Sequence, residues 1–320
     1  MIYQKIIFFY LQALLFLLLP RTELIAQTDT SYSDFGGIIY LDSFVVTASR
    51  KGFSVDDFIK MVQEDESFYQ SFKNLRFASY TSDNDIQFFD KKGKLKTSYS
   101  NQIRQQVDAE KCRTMEIMTE KTNGKFFKKQ RKNKPRRYKF FTAKMYDRLF
   151  FTNGRVCETK GKAEKQPRGM AKYIAELKKL IFKPGSKAKV PLIGKKMEIF
   201  SPKMAKYYDY HIQSKKYKGK IDCYVFQVII KPEYRQRKKG KTVIKFLETY
   251  FDRTNFQVIA RNYQLNYNSA LFDFNVKMEI ELTKWKDKYI PHHIYYDGFW
   301  DVPLKKRETG KFTIDFYNFN

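Results

Sequence analysis

Residues 272–283, Phe-Asp-Phe-Asn-Val-Lys-Met-Glu-Ile-Glu-Leu-Thr, alternate apolar and polar without a break. Successive residues of an extended chain point to opposite faces, so this period of two describes a strand with one dry face and one wet face. Phe272, Phe274, Val276, Met278, Ile280 and Leu282 share the dry face; Asp273, Asn275, Lys277, Glu279, Glu281 and Thr283 share the wet one. A strand of this length reaches about 40 Å, roughly twice the usual strand. Long twisted strands that are wet on one side curl into a barrel or half-barrel. The dry face reads either as plain core or as the lining of a groove for an apolar ligand, since Phe and Met adapt to irregular ligands.

The same alternation spreads outward. Segments 208–214, 221–231, 242–251, 256–267, 271–284, 288–296 and 308–317 read as an antiparallel meander. Segment 221–231 is apolar on both faces, so something covers it on both sides. Nearer the start, Leu75–Thr81 and Ile86–Phe89 read as strands, Asp90–Lys94 as a hairpin loop, and Leu95–Ile103 and Cys112–Thr119 as returns, with a turn at Asn123-Gly124. Two helical stripes interrupt the strands. Val55, Phe58, Ile59 and Val62 form the first; it weakens at Asp65-Glu66 and resumes at Tyr69 and Phe72. Met170, Tyr173, Ile174, Leu177 and Ile181 form the second, stopped by Pro184-Gly185 and placed to cover 221–231. Ser201-Pro202 starts a shorter helix. The pattern predicts an α+β fold: a long curled antiparallel sheet, half-barrel or open barrel, covered by two or three helices.

Composition limits the function. The chain has 320 residues, a formal charge of +28 and 17% aromatics. That supports a sizeable core and excludes disordered and collagen-like chains. Lys5 precedes an apolar run from Ile6 to Leu19, closed by Pro20-Arg21, and Ala26-Gln27 follows. A charged start, a short apolar run and a small residue before the cut describe a secretory signal peptide cleaved after Ala26. The run is short against the roughly 20 residues a membrane span needs. The expected organisation is a signal peptide at 1–26, a loose segment and strand at 27–52, and a single half-barrel-like domain at 53–320 with a basic hairpin insertion at about 125–140.

Export changes how the charge is read. Inside a cell, a chain this basic points to nucleic acid; outside, the polyanions are lipid headgroups, lipopolysaccharide and acidic glycans. The insertion carries Lys128, Lys129, Arg131, Lys132, Lys134, Arg136, Arg137 and Lys139, the candidate residues for docking on an anionic membrane. A smaller basic run spans 235–241. Cys112, Cys157 and Cys223 make an odd number with no CxxC. One disulfide with one free thiol is compatible with export, but the expectation is no structural disulfide, with Cys223 a buried small hydrophobe.

No GxSxG, HExxH, P-loop, GxGxxG or EF-hand pattern occurs. His292 and His293 are adjacent in a strand, so they are expected to face opposite ways and not to share a metal. His211 alternates with tyrosines, and Glu279 and Glu281 share a solvated face. No catalytic, metal or cofactor residue is assigned.

An exported start, a helix at 54–72, strands at Leu75–Phe89 and a C-terminal run from Asp222-Cys223-Tyr224-Val225-Phe226 to Tyr317 resemble the lipoprotein-carrier (LolA-like) superfamily of Gram-negative envelopes. That resemblance implies a half-barrel whose helices cap a lipid-binding concavity. The Tyr208-Asp209-Tyr210, Cys223–Phe226 and Tyr250-Phe251-Asp252 series is also similar to a family of uncharacterised envelope β-proteins. Phe44–Arg50 is similar to the short box by which outer-membrane receptors engage their energy-coupling protein, but the chain lacks the length for such a barrel and the segment is read as a plain strand. The resulting expectation is a non-catalytic envelope protein, periplasmic or associated with the outer membrane. It would bind lipid or lipoprotein acyl chains, touch an anionic membrane and an envelope protein partner, and bind no nucleic acid. A structural or interaction module without a small ligand is the alternative; a hydrolase is third.

Overall fold

The structure is a computed structural model that describes residues 55–130, 132, 135–157, 176, 181–186, 189–190, 193–235, 240–269, 272–302 and 306–320. The signal peptide with its Ala26-Gln27 bond, the strand and box at 38–50, and Met170, Tyr173, Ile174 and Leu177 lie outside the described residues.

Among the described residues, eleven antiparallel strands form one sheet in the order β4-β3-β2-β1-β11-β10-β9-β8-β7-β6-β5. They are β1 (Tyr80–Phe89), β2 (Leu95–Val107), β3 (Cys112–Asn123), β4 (Val156–Cys157), β5 (Tyr208–Tyr217), β6 (Ile221–Ile230), β7 (Ile244–Asp252), β8 (Val258–Asn268), β9 (Asp273–Trp285), β10 (Lys288–Asp301) and β11 (Glu308–Tyr317). Each of the seven C-terminal strands overlaps a segment marked by its alternation. The last strand, β11, pairs with β1, so the two runs of hairpins join in mid-sheet. The edges β4 and β5 do not meet, and the ribbon stays an open α+β half-barrel of the kind the resemblance implied.

The first helical stripe is two helices, α1 (Val55–Glu64) and α2 (Ser67–Asn74). Asp65 makes the break: its Oδ1 accepts from the Ser67 amide at 3.0 Å and the Ser67 hydroxyl at 2.6 Å, closing a local turn. Residues 75–81 were expected as a strand. Leu75–Phe77 instead continues α2 as a 3-10 turn, and β1 begins at Tyr80. The apolar residues there satisfy either period, and packing beneath Gln105, which donates to the Leu75 and Ala78 carbonyls, decides for the turn. The short helices α3 (Phe141–Met145) and α4 (Asp147–Phe150) follow the basic loop. After Ser201, α5 (Pro202–Ala205) is one turn long, and α6 (Pro232–Arg235) follows β6.

Helices α1 to α4 pack on one side of the sheet, the inner face. From α1, Phe58 packs on Tyr224, Phe226 and Phe251 of β6 and β7 at 5.6–6.0 Å between rings. Helix α2 lies against β8 and β10. Tyr146 and Phe150 sit on Phe312 of β11. Strand β6 is buried without a gap from Val225 to Ile230, as its two apolar faces required. On its outer side the ribbon coils far enough for the β5–β6 turn to reach β9: the Tyr217 ring lies 5.0 Å from Tyr250, and Lys218 pairs with Glu281 at 2.5 Å.

The expectation of no structural disulfide is corrected. Cys112 and Cys157 are cross-strand partners in β3 and β4 and are bonded, closing a separation of 45 residues. That pairing depends on a long excursion returning to β3, which has no local sequence signal. Cys223 is free and fully buried, and burial pushes its thiol up to about 11.

Candidate functional site

The register defines a file of paired residues across the inner face of nine strands: Asn101, Asn84, Ile314, Ile294, Ile280, Arg261, Thr249, Phe226 and Ile212. Every one is buried. At about 4.8 Å per strand, the three isoleucines separate a polar end from a cation by roughly 19 Å. The inner face is therefore polar over β1 and β2, apolar over β9 to β11, charged at Arg261 of β8, and apolar again at Phe226 and Ile212.

The β9 residues Phe272, Phe274, Val276, Met278, Ile280 and Leu282 all belong to this face, with exposures of 7% or less. Their wet partners Asp273, Asn275, Lys277, Glu279, Glu281 and Thr283 are half-buried on the outer side. Trp300 lies 4.7 Å from Phe274, and the Tyr146 and Tyr263 hydroxyls point at the Met278 sulfur at 3.7 and 3.5 Å. Side chains of the sheet itself and Tyr146 of the cover thus occupy the apolar face. Two open depressions lie elsewhere. One, of about 400 Å³, is lined by Asp83, Asp85, Ser100, Gln102, Thr313 and Asp315. The other, of about 440 Å³, is lined by Lys60, Met61, Glu64 and Asp65.

Asp65 links that second depression to the interior. Its Oδ2 is buried without a hydrogen bond and stands 3.7 Å from Nη2 of Arg261. Arg261 is 1% exposed. Its guanidinium lies 4.1 Å from the centre of the Phe68 ring, donates Nε to Thr249 at 3.1 Å, and reaches the Phe182 carbonyl at 3.4 Å. Burial lowers its proton affinity, while the Asp65 charge acts against that shift. One buried cation therefore ties the turn between α1 and α2, α2 itself and residue 182 to β8 through loose contacts. The residues described in the second helical stripe, Glu176 and Ile181-Phe182, are helical, and Phe182 packs its ring on Phe72 at 4.9 Å. Arg261 was not singled out in the sequence. Its signal was parity: it shares a face with Ile259, Tyr263, Leu265 and Tyr267.

The polar flank is a directed chain. Asn84 donates to Asn101 at 2.8 Å, Asn101 to the Tyr99 hydroxyl at 3.2 Å, and Tyr99 to Glu120 at 2.8 Å. Arg136 then clasps Glu120 with both terminal nitrogens, at 2.6 and 3.0 Å. A carboxylate only accepts, so the direction of every bond follows from Glu120. The Arg136 hydrogen bond holds the Glu120 carboxyl below its ordinary value. Arg136 is thus tied to the sheet. Lys128, Lys129, Lys132, Arg137 and Lys139 are exposed; Arg131 and Lys134 lie outside the described residues. The loop is a pinned arch: Phe127 bridges Tyr138, and Phe140 stacks on Phe88 at 3.9 Å.

The histidines correct another expectation. The register of β10 against β9 shifts between Pro291 and His293, making His292 the extra residue of a bulge. Both rings consequently meet outer-face carboxylates: His292 binds Glu281 at 3.1 Å and His293 binds Asp315 at 2.6 Å. The His292 hydrogen bond, aided by Lys218, holds the Glu281 carboxyl down at about 2. Among the described residues no three His, Cys, Asp or Glu gather as metal ligands, and no helix is long and apolar enough to cross a membrane.

No protein-family model matches the chain, and no curated protein matches it. Solved structures do. A LolA superfamily protein from Nitrosomonas europaea aligns over 82% of this chain and 92% of its own, at 7% identity and a TM-score of 0.23. A domain described as an outer membrane lipoprotein-sorting protein, from Vibrio parahaemolyticus, aligns over 81% and 92%, at 7% identity and a TM-score of 0.26. A DUF1329 family protein from Desulfovibrio piger aligns over 80% and 93%, at 11% identity and a TM-score of 0.24.

Proposed function

We propose that the protein is a non-catalytic envelope protein that takes a lipid acyl chain, or a comparable apolar ligand, between the inner face of its sheet and the helical cover. The observation that carries this reading is the construction of that cover. Among the described residues, the apolar file Ile314–Ile294–Ile280 and the β9 stripe are closed by helices of 4–10 residues and not by a second sheet. Helices this short have little stability of their own, so they hold through contacts with the sheet and move as low-stability units. A hydrocarbon chain that replaces Tyr146, Phe150 or Phe58 exchanges one apolar contact for another, which keeps the cost of opening small. Arg261, with a 3.7 Å ion pair and a 3.4 Å hydrogen bond, is the contact that yields first.

The exposed lysines and arginine of the 128–139 arch supply the approach to an anionic membrane at about 1 kcal/mol each. The reading includes export through the 1–26 segment and residence in the periplasm or at the outer membrane. Native mass spectrometry of protein purified from its own envelope tests the ligand claim. Co-purifying lipid, or saturable uptake of cis-parinaric acid, is expected; absence of both contradicts it. The dense packing of the β9 face favours a second reading, an interaction module without a small ligand, and absence of both signals would support that one. Sedimentation with anionic liposomes tests docking: binding should weaken with salt and with neutralisation of Lys128, Lys129, Lys132, Arg137 and Lys139.

A further inference from the structure

Where the β9 stripe begins, two lysines hold one short stretch of chain, Gly240 to Thr242, through uncharged partners. Lys196 ends the 3-10 turn Gly194–Lys196; it donates to the Gly240 carbonyl and, at 2.8 Å, to the Tyr267 hydroxyl. Its ammonium lies 4.5 Å from the centre of the Tyr267 ring. Lys245 donates to the Thr242 hydroxyl at 2.8 Å and to the Thr242 carbonyl at 3.2 Å. Each ammonium has three protons and two of these bonds, which leaves one donor apiece. Among the described residues neither lysine has a carboxylate partner.

The surroundings are built around the pair. Lys245 is the extra residue where the register of β7 against β8 shifts between Ile244 and Phe246, and such bulges re-aim a side chain. Gly240 is required where it stands, since a Cβ would come within 2.5 Å of the Tyr267 ring. Burial, and then the charge of Lys196, pull the Lys245 ammonium down to about 8. A desolvated ammonium near a second like charge and without a counter-ion is unfavourable. Tyr267 pairs with Phe274, the second residue of the stripe that runs on to Leu282.

We propose that Lys196 and Lys245 bind the carboxylate or phosphate head of an anionic amphiphile whose hydrocarbon tail lies along the β9 stripe. This rests on the apolar-ligand reading and names the head group that reading leaves open. The anion supplies the missing counter-charge and accepts the one remaining proton from each ammonium, while the tail meets Phe274, Val276 and Met278.

The test compares cis-parinaric acid with its methyl ester, using the full chain, the Lys196→Met/Lys245→Met double variant and the charge-keeping Lys196→Arg/Lys245→Arg. The native protein should bind the acid about tenfold more tightly than the ester, the scale of a charge-assisted hydrogen bond. The methionine variant should lose that ratio with ester affinity unchanged, which also reports an intact fold; the arginine variant should keep a preference. Inorganic phosphate should displace the acid and not the ester. A ratio near one in the native protein, or a ratio that survives in the methionine variant while the ester still binds, overturns the proposal. If the native protein takes neither probe, the apolar-ligand reading fails and the proposed tail with it. Line broadening of phosphorus resonance by the native protein, absent in the methionine variant, would then mark a site for the free anion; no broadening would remove the lysine pair as well.

Discussion

Strand β6 and the β1–β3 wing belong to one sheet and are held by different forces. In β6 every residue from Val225 to Ile230 is buried, with Phe58 and Phe200 packed on Phe226. The wing buries Ser82, Asn84, Thr97, Asn101 and Gln105 on its inner face, and most of β3 beyond Met115 is exposed. Beside the apolar Ile86, Phe88, Tyr99 and Ile103, its order comes from the Asn84–Asn101–Tyr99–Glu120–Arg136 chain and the Cys112–Cys157 bond. Non-directional burial makes one end of the sheet a rigid wall. Directed bonds that reach the surface make the other end sensitive to single changes and to salt.

The contrast is open to test. The largest effect is expected at β6: Phe226→Ala should cost about 3–5 kcal/mol in urea unfolding, the usual result of deleting a buried aromatic ring. A smaller cost would mean that this end can collapse around the cavity. Replacing both Cys112 and Cys157 by alanine should cost about 2–4 kcal/mol by releasing a 45-residue closure. The loss should show as faster amide exchange in β3 with β6 protection unchanged; uniform loss would deny that the wing is separate. Asn84→Ala leaves the buried Asn101 oxygen without its donor and should cost about 1–3 kcal/mol. Arg136→Ala removes a partly exposed ion pair and should cost about 0.2–1 kcal/mol, less at high salt. A larger or salt-independent cost there would show that the chain acts as a cooperative unit reaching Asn84.

The same contrast explains what could be read from the sequence. Strands β8–β11 follow from alternation, because one face of each is apolar and the other is not, and β6 follows from a short run that is apolar on both faces. Inner-face residues of β1 and β2 such as Ser82, Asn84, Thr97 and Asn101 alternate polar with polar, so nothing in that pattern distinguishes inside from outside. Leu75–Phe77 satisfies either period and was resolved only by what packs on it. Arg261 was legible by parity, yet an arginine in a strand is ordinarily assigned to solvent. The positions of His292 and Lys245 depend on bulges, which shift one residue and reverse the side on which parity places a side chain. The six β9 residues were grouped correctly as one face. Whether that face admits a ligand depends on how firmly its cover is held, a property of contacts distant in sequence.

Photolabelling addresses that question most directly. The full chain is equilibrated with a fatty acid carrying a diazirine in mid-chain, irradiated, and digested, and the labelled residues are read by mass spectrometry. Labels should fall on the inner side of β9 and β10, between Phe274 and Ile294, and on α1, α3 or α4, in competition with unlabelled oleate. Labels confined to the outer face around Asp83 and Glu281, or no label that oleate displaces, would contradict the account.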